Sequence, residues 1–153
     1  MFSKLPDYLE WANGRCLASI ESLDASGDRV RGLLGHLLAA EDTWFARIGG
    51  REPELESWPN LGLGEMRTVI SRNAEACRDI LRSSGGLSGV GMTESRVEGR
   101  NAAGEPIQYR TSDVLMHVFV HGGYHRGQIA AAVKRQGGRP AVTDYIAFCR
   151  ETA

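Results

Sequence analysis

Apolar residues recur every three or four positions over most of the chain, which is the period of an amphipathic α-helix. The pattern predicts four long helices, at about residues 3–23, 28–48, 64–83 and 113–136. Glycine pairs predict the ends of the last three, namely Gly49-Gly50, Gly85-Gly86 and Gly137-Gly138. Residues 49–63, with Pro53 and Pro59, are expected to form a connecting loop, and residues 144–150 a short final helix capped by Thr143.

The segment between the third and fourth helices has a different pattern. Residues 94–99 and 105–109 are short runs with strand character on either side of a turn sequence at 101–104, which predicts a small β-hairpin. Thr111 and Ser112 are suitable N-caps for the fourth helix. Four amphipathic helices of this length can bury one apolar interior. The sequence therefore predicts a single all-α domain, residues 1–153, built as a four-helix bundle with a hairpin.

Composition narrows the class of protein. The hydrophobic content of 42% and the charged content of 24% are typical of a soluble globular protein. A net charge of -1 leaves no basic face for nucleic acid or for a membrane surface. The sequence has neither a membrane-spanning apolar run nor a secretory signal, and its three widely spaced cysteines are expected to be buried free thiols. We therefore expect a cytoplasmic protein.

Three histidines carry the candidate chemistry. His121 and His125 are one helical turn apart and fall on the apolar face of the fourth helix, where unpartnered imidazoles are costly. A divalent metal would satisfy one nitrogen of each, and His36, beside the apolar stripe of the second helix, could supply a third ligand. Three protein ligands leave a coordination position open, as in catalytic sites. The alternative is core histidines with ordinary hydrogen bonds, because this spacing often arises by chance.

Other residues need an interpretation beside these histidines. Glu41 lies within the apolar stripe of the second helix, where it could orient a ligand histidine, transfer protons, act as a further ligand or pair with an arginine. His117 falls at the edge of the fourth helix's apolar face, near Gln128, and is expected to be structural. Gly122 and Gly123 destabilise a helix and require close packing or free room beside the metal. The three tryptophans are expected in the core or at an interface.

An ordered set of segments resembles the DinB/YfiT-like metalloenzyme family. The segments are WANGR, GHLLAAEDTWFARIGG, RNAAGE, HVFVHGGYHRGQIAAAVKRQGGRP and VTDYIAFCR, and they extend over nearly the whole chain. The resemblance implies a four-helix bundle with a long crossover between the second and third helices, frequently as a homodimer. It implies a divalent metal held by His36, His121 and His125, with His117 as an additional histidine that is not a ligand. Glu41 matches an acidic position and Asn13 an asparagine on the first helix, whereas Gly122-Gly123-Tyr124 replaces a bulkier polar triplet.

The resemblance also suggests a reaction class. Related proteins of known chemistry use low-molecular-weight thiols such as bacillithiol or mycothiol. The leading hypothesis is a metal-dependent thiol S-transferase or hydrolase that acts on small molecules, with zinc, nickel or iron as the ion and a thiol as co-substrate. Glu41 would assist, Tyr124 or Arg126 would contact the substrate, and Asn13 and Gln128 would support the site. The alternatives are a non-catalytic, stress-associated metal-binding dimer and a helical interaction module.

Overall fold

The computed structural model describes residues 2–23, 28–83, 95–100 and 103–153. Within these ranges the chain is mostly helical, with one small antiparallel sheet, which confirms the predicted class of helical fold and the predicted hairpin. The elements are α1 (Leu5–Glu21), α2 (Asp28–Ile48), α3 (Leu63–Ser83), β1 (Arg96–Arg100), β2 (Pro106–Arg110), α4 (Thr111–Arg135) and α5 (Tyr145–Glu151). Their bounds lie within two residues of the predicted bounds for most elements.

Glycines end two of the long helices where the sequence predicts. Gly50, after α2, has φ 65°, and Gly137, after α4, has φ 76°. Both are in the left-handed region, where a residue without Cβ carries no steric penalty, so the chain can leave the helix axis at these points. Gly85-Gly86, the predicted end of the third helix, lies outside the described residues.

The two predicted threonine caps are wrong. Thr111 is the first residue of α4, and its hydroxyl accepts a 2.7 Å hydrogen bond from the Ser95 hydroxyl, so it links the helix to the residue that precedes β1. At α5 the N-cap position belongs to Asp144 and has no side-chain cap, while the carbonyl of Thr143 accepts a hydrogen bond from Tyr8. Both threonines therefore make tertiary contacts instead of capping their helices.

The core consists of two apolar clusters that lie towards opposite ends of the four long helices. One contains Leu17, Leu34 and Met66, and the other contains Leu9, Phe45 and Leu115 together with Phe148 of α5. Four buried polar residues come from the middle of the sequences of the long helices: Asn13, Glu41, Asn73 and Arg126. Buried polar groups need hydrogen-bond partners, and these four side chains bond to one another in a polar layer, described below with the site.

The hairpin and the cysteines complete the description. β1 and β2 pair antiparallel with Val97 opposite Tyr109, and buried Val97 fixes the hairpin against the helices, since β1 contacts both α2 and α4. Cys16 and Cys77 are buried free thiols whose pKa burial raises to about 12, while Cys149 is partly exposed. Among the described residues, no helix combines the length and the apolar character needed to cross a membrane.

Candidate metal centre

The packing of α2 against α4 brings together the three histidines singled out by the sequence. His36, His121 and His125 each offer one ring nitrogen, and these nitrogens all lie within 4.8 Å of one another. The ring of His125 lies 4.4 Å from that of His121 and 4.9 Å from that of His36, measured between centroids. Imidazole nitrogens bind metals such as zinc at about 2 Å. This group can therefore hold one ion after small side-chain adjustments.

Two of the imidazoles are oriented through their second nitrogen. His36 Nδ1–H donates a 2.7 Å hydrogen bond to the backbone carbonyl of Ser57. His125 Nδ1–H donates a 3.0 Å hydrogen bond to the side-chain oxygen of Gln128. Partners of this kind fix the tautomer and leave Nε2 unprotonated, as a metal ligand requires. Ser57 carries no sequence signal for this role because every residue has a carbonyl; only the path of the loop between α2 and α3 selects it.

The cluster is buried on one side and open on the other. His125 is buried, whereas His36 and His121 are partly exposed. Burial lowers the pKa of His121, and the nearby His125, His117 and His36 lower it further. Burial also lowers the pKa of His125, against the opposing effect of its bond to Gln128. A lowered pKa keeps an imidazole neutral near physiological pH, which is its metal-binding form.

His117 lies outside this group of nitrogens. It is exposed, one turn before His121 on α4, and its ring stacks on that of His121 at 5.1 Å. Its other ring neighbour is Trp44, at 5.2 Å. This placement agrees with the expected position at the rim.

Two exposed aromatic rings adjoin the cluster. Trp58 stacks on His36 with ring centroids 4.0 Å apart and an angle of 11° between the planes. Tyr124 meets His125 edge-on at 5.3 Å. Trp58 is 59% exposed, so of the two expected positions, core or interface, the core is excluded. No helical period applies in the loop that carries it, and for that reason the sequence did not reveal its position.

Glu41 lies in the buried polar layer. Its carboxylate accepts hydrogen bonds from Asn13 Nδ2 at 2.9 Å and from Asn73 Nδ2 at 3.3 Å. Burial raises its pKa, although both amides and the charge of Arg126 act in the opposite direction. The ring nitrogens of His36 and His125 bond to Ser57 and Gln128, so those two groups perform the orienting role that the sequence suggested for Glu41.

Arg126 belongs to the same layer and is not at the surface. The side chain is 2% exposed, and its guanidinium donates to Asn13 Oδ1 at 3.2 Å and to the Tyr8 hydroxyl at 3.0 Å. Asn13 therefore bridges the buried positive charge of Arg126 and the carboxylate of Glu41. The expected contact of Arg126 with substrate does not fit this placement, because the guanidinium is buried and its Nη1 and Nη2 are bonded to Asn13 and Tyr8. Tyr124, 63% exposed, remains available for such a contact.

Comparison with known protein families identifies the class of protein to which this chain belongs. Residues 3–152 match the sequence profile of the DinB family. Because the match extends over almost the whole chain, the protein belongs to the DinB family.

Curated relatives of this chain carry a different description. The chain is 30% identical over 123 residues to a probable transcriptional regulatory protein of Cupriavidus taiwanensis, and equally to one of Cupriavidus pinatubonensis. Each alignment covers 74% of this chain and 48% of the relative. A probable transcriptional regulatory protein of Moorella thermoacetica is 26% identical over 127 residues, covering 78% of this chain and 48% of the relative. The chain thus spans about half the length of the curated relatives it matches, and no solved structure matches it.

Proposed function

We propose that this protein is a metal-dependent enzyme of the thiol S-transferase or hydrolase type, with His36, His121 and His125 as the ligands of one divalent ion. The observation that carries the proposal is the convergence of one ring nitrogen from each histidine to within 4.8 Å. Belonging to the DinB family supports the same reading. The finer architecture that we propose is the four-helix bundle with a long crossover between α2 and α3.

The exposure of the cluster favours a catalytic ion over a purely structural one. His36 and His121 are partly exposed, so a small molecule can reach the cluster at these two imidazoles. A divalent ion bound there would supply a Lewis acid that lowers the pKa of a thiol or water. A structural site is instead closed by protein groups at every coordination position. Three imidazoles suit zinc, nickel or iron.

Each neighbouring residue has a part in this proposal. Ser57 and Gln128 hold the imidazoles of His36 and His125 in orientation. Tyr124, exposed beside His125, contacts the substrate. Asn13, Glu41 and Arg126 stabilise the packing of α1, α2 and α4 beneath the site. A low-molecular-weight thiol as co-substrate and a homodimeric assembly complete the proposal, both on the basis of the family resemblance.

The names of the curated relatives raise transcriptional regulation as another function. Protein surfaces that bind DNA are strongly positive, because they neutralise phosphates with lysine and arginine. This chain has a net charge of -1, and many of its arginines pair with carboxylates, for example Arg78 with Asp7 and Glu10. Its charge therefore gives a DNA-binding function no support, and the proposal stays with small-molecule chemistry.

Metal content tests the central claim. Protein purified without a histidine tag is analysed by inductively coupled plasma mass spectrometry and, after stripping, titrated calorimetrically with zinc, nickel and ferrous ions. We expect about one ion per chain in the wild type and less than about a tenth of that in His125→Ala, since a ligand is removed. His117→Ala is the matched control, a histidine on the same helix outside the cluster, and should retain the ion. Equal metal contents in the wild type and His125→Ala would refute the proposal.

Turnover separates the enzyme from the structural alternative. Metal-loaded and stripped protein are assayed for consumption of several biological thiols with an electrophile, and for ester and amide hydrolysis. An enzyme loses activity on stripping and regains it on reloading. A loaded protein that is inert in every assay would favour a metal-binding dimer in which the ion contributes stability only.

A further inference from the structure

Two large aromatic side chains stand exposed at the histidine cluster. Trp58 is 59% exposed and Tyr124 is 63% exposed. They are connected through the cluster by ring contacts: Trp58 to His36 at 4.0 Å, His36 to His125 at 4.9 Å and His125 to Tyr124 at 5.3 Å. The two exposed rings are thus the outer members of one series of four rings.

The loop that carries Trp58 is anchored on both sides of it. The carbonyl of Ser57, the preceding residue, accepts the hydrogen bond from His36. Pro59, the following residue, is buried against Gly35, where an added Cβ would lie only 3.1 Å from the Pro59 oxygen. These contacts hold the indole against His36. A ring fixed in advance loses little conformational entropy when a ligand binds.

The other two tryptophans show how exposed indole surface is usually covered in this chain. A guanidinium lies over each of their rings, Arg15 over Trp11 at 4.4 Å and Arg47 over Trp44 at 5.0 Å. The ring partner of Trp58 is His36 on one face. The exposed area therefore belongs to the part of the indole that faces away from His36. A ligand that covers this apolar area removes it from water, which contributes favourably to the free energy of binding.

We propose that Trp58 and Tyr124 form the substrate-binding surface and take the planar, apolar part of an aromatic or conjugated substrate. This inference rests on the proposed function, since the three histidines are taken as the reacting centre. Flat π-systems stack on indole and phenol rings, whereas a saturated ring of the same size gains area burial alone. The two aromatic residues therefore select the flat molecule over its saturated counterpart.

The test compares two probes that differ in planarity. 2-Naphthol is flat, and decahydro-2-naphthol has the same carbon skeleton and hydroxyl group without the π-system. Both are titrated into the full-length chain, metal-loaded and stripped, with binding followed by calorimetry and by the indole N–H signals in ¹H–¹⁵N NMR spectra. We expect 2-naphthol to bind about fivefold more tightly, which is the usual strength of an aromatic pair. The indole signal of Trp58, assigned from its loss in Trp58→Phe, should shift most.

Variants separate stacking from simple burial. Trp58→Leu keeps apolar bulk without a ring face and should abolish the preference for 2-naphthol, while Trp58→Phe should retain most of it. Tyr109→Leu is the matched control, because Tyr109 is also an exposed aromatic but contacts Trp44 instead of the cluster. An unchanged preference in Trp58→Leu, or equal binding of both probes to the wild type, would overturn the inference.

The same samples distinguish this inference from the proposed function. Metal content is measured on every variant. A normal metal content without a preference for the flat probe would defeat the aromatic surface and leave the metal centre standing. A preference for the flat probe on a chain that binds no metal at the histidines would refute the metal centre and leave the aromatic surface standing.

Discussion

Two neighbouring glycines on α4 have opposite surroundings. A Cβ built at Gly122 would lie 2.8 Å from Arg126 Nη1, closer than such atoms approach in proteins, and 3.3 Å from its Cζ, which is a tight contact. At Gly123 nothing lies within 4 Å of the added atom. The absence of a side chain at Gly122 is therefore the condition for burying the Arg126 guanidinium against Asn13 and Tyr8. From the sequence, either close packing or free room beside the metal was expected to offset the cost of these glycines. At Gly122 the structure shows close packing, and the group that packs there, Arg126, belongs to the same helix.

We predict that alanine has opposite effects at these two positions. Gly122→Ala forces the guanidinium from its partners, and overpacking of about 1–3 kcal/mol outweighs a helix-propensity gain of roughly 1 kcal/mol. Gly123→Ala, the matched control, keeps only the gain and should raise the free energy of unfolding by about 0.5–1 kcal/mol. Urea denaturation of both variants measures the difference. Similar stabilisation by both substitutions would show that Arg126 is not confined as described.

The sequence predicted the histidines better than it predicted Arg126, for a physical reason. A helical wheel places His121 and His125 on the apolar face, because its information is periodic and local. The burial of Arg126 depends on Asn13 and Tyr8, which are 113 and 118 residues away in the chain. Such partners are invisible to any local pattern. The substrate contact predicted for Arg126 could not take these distant partners into account.

At the scale of elements, Asp42 of α2 fixes the loop that leads to Trp58. Its Oδ2 accepts hydrogen bonds from the backbone N–H groups of Glu54 at 2.7 Å and Leu55 at 3.0 Å. Its Oδ1 faces Arg72 at 3.4 Å. The carboxylate is fully buried, so these charge-assisted bonds are shielded from water. The loop thus reaches Ser57 and Trp58 from a fixed starting point.

We predict that Asp42→Ala destabilises the fold and releases this loop. Two amides lose their acceptor and Arg72 loses a partner, which costs about 2–4 kcal/mol. Hydrogen exchange at the amides of Glu54 and Leu55 should accelerate, and the Trp58 indole signal should move towards its position in unfolded protein. Asp42→Asn keeps an acceptor and should lose less, while Thr43→Ala on the same turn controls for helix effects. Unchanged exchange at both amides in Asp42→Ala would contradict the anchoring role.

The elements themselves were largely predictable, but the side chains at their N-termini did not act as the predicted caps. The four long helices and the hairpin follow from apolar periodicity and from glycines, which act within a few residues. Capping is a competition among hydrogen-bond partners. Thr111 is the example, since its hydroxyl bonds to Ser95, 16 residues away, instead of to its own helix. The path of the loop of residues 49–62 was not predictable for the same reason, because it is held by hydrogen bonds to Asp42 and His36, which lie outside the loop.

For the whole molecule, the histidine cluster joins α2 to α4 at their contact. His36 belongs to the first and His121 and His125 to the second. An ion bound to the folded state alone stabilises it by mass action, by about 2.7 kcal/mol at a free concentration of 100 Kd. Unfolding separates the ligands and releases the ion, so metal should act on global stability and not only on the site.

The direction of the pH dependence follows from the imidazoles. Burial and neighbouring histidines hold the pKa of His121, and burial holds that of His125, below the ordinary value of 6.5. The unfolded chain therefore takes up protons first as the pH falls, and the contribution of these two groups to stability decreases from about pH 6.5 downward. The stripped protein has no ion to lose, so of the two effects only the titration of the imidazoles applies to it. The loaded protein also loses its ion, because protons compete for the same nitrogens.

We predict that saturating metal raises the melting temperature by about 5–10 °C at pH 7.5, where the imidazoles are neutral, and that the gain shrinks at each lower pH. Calorimetry at pH 7.5, 6.5 and 5.5, with and without a chelator, measures both trends. His121→Ala should remove the metal-dependent gain and reduce the acid slope of the stripped protein, because one titrating ligand is gone. His117→Ala should keep the gain, since its exposed ring lies outside the group. A melting temperature indifferent to metal at pH 7.5, or the same loss of the gain in both variants, would mean that the ion does not bridge α2 and α4.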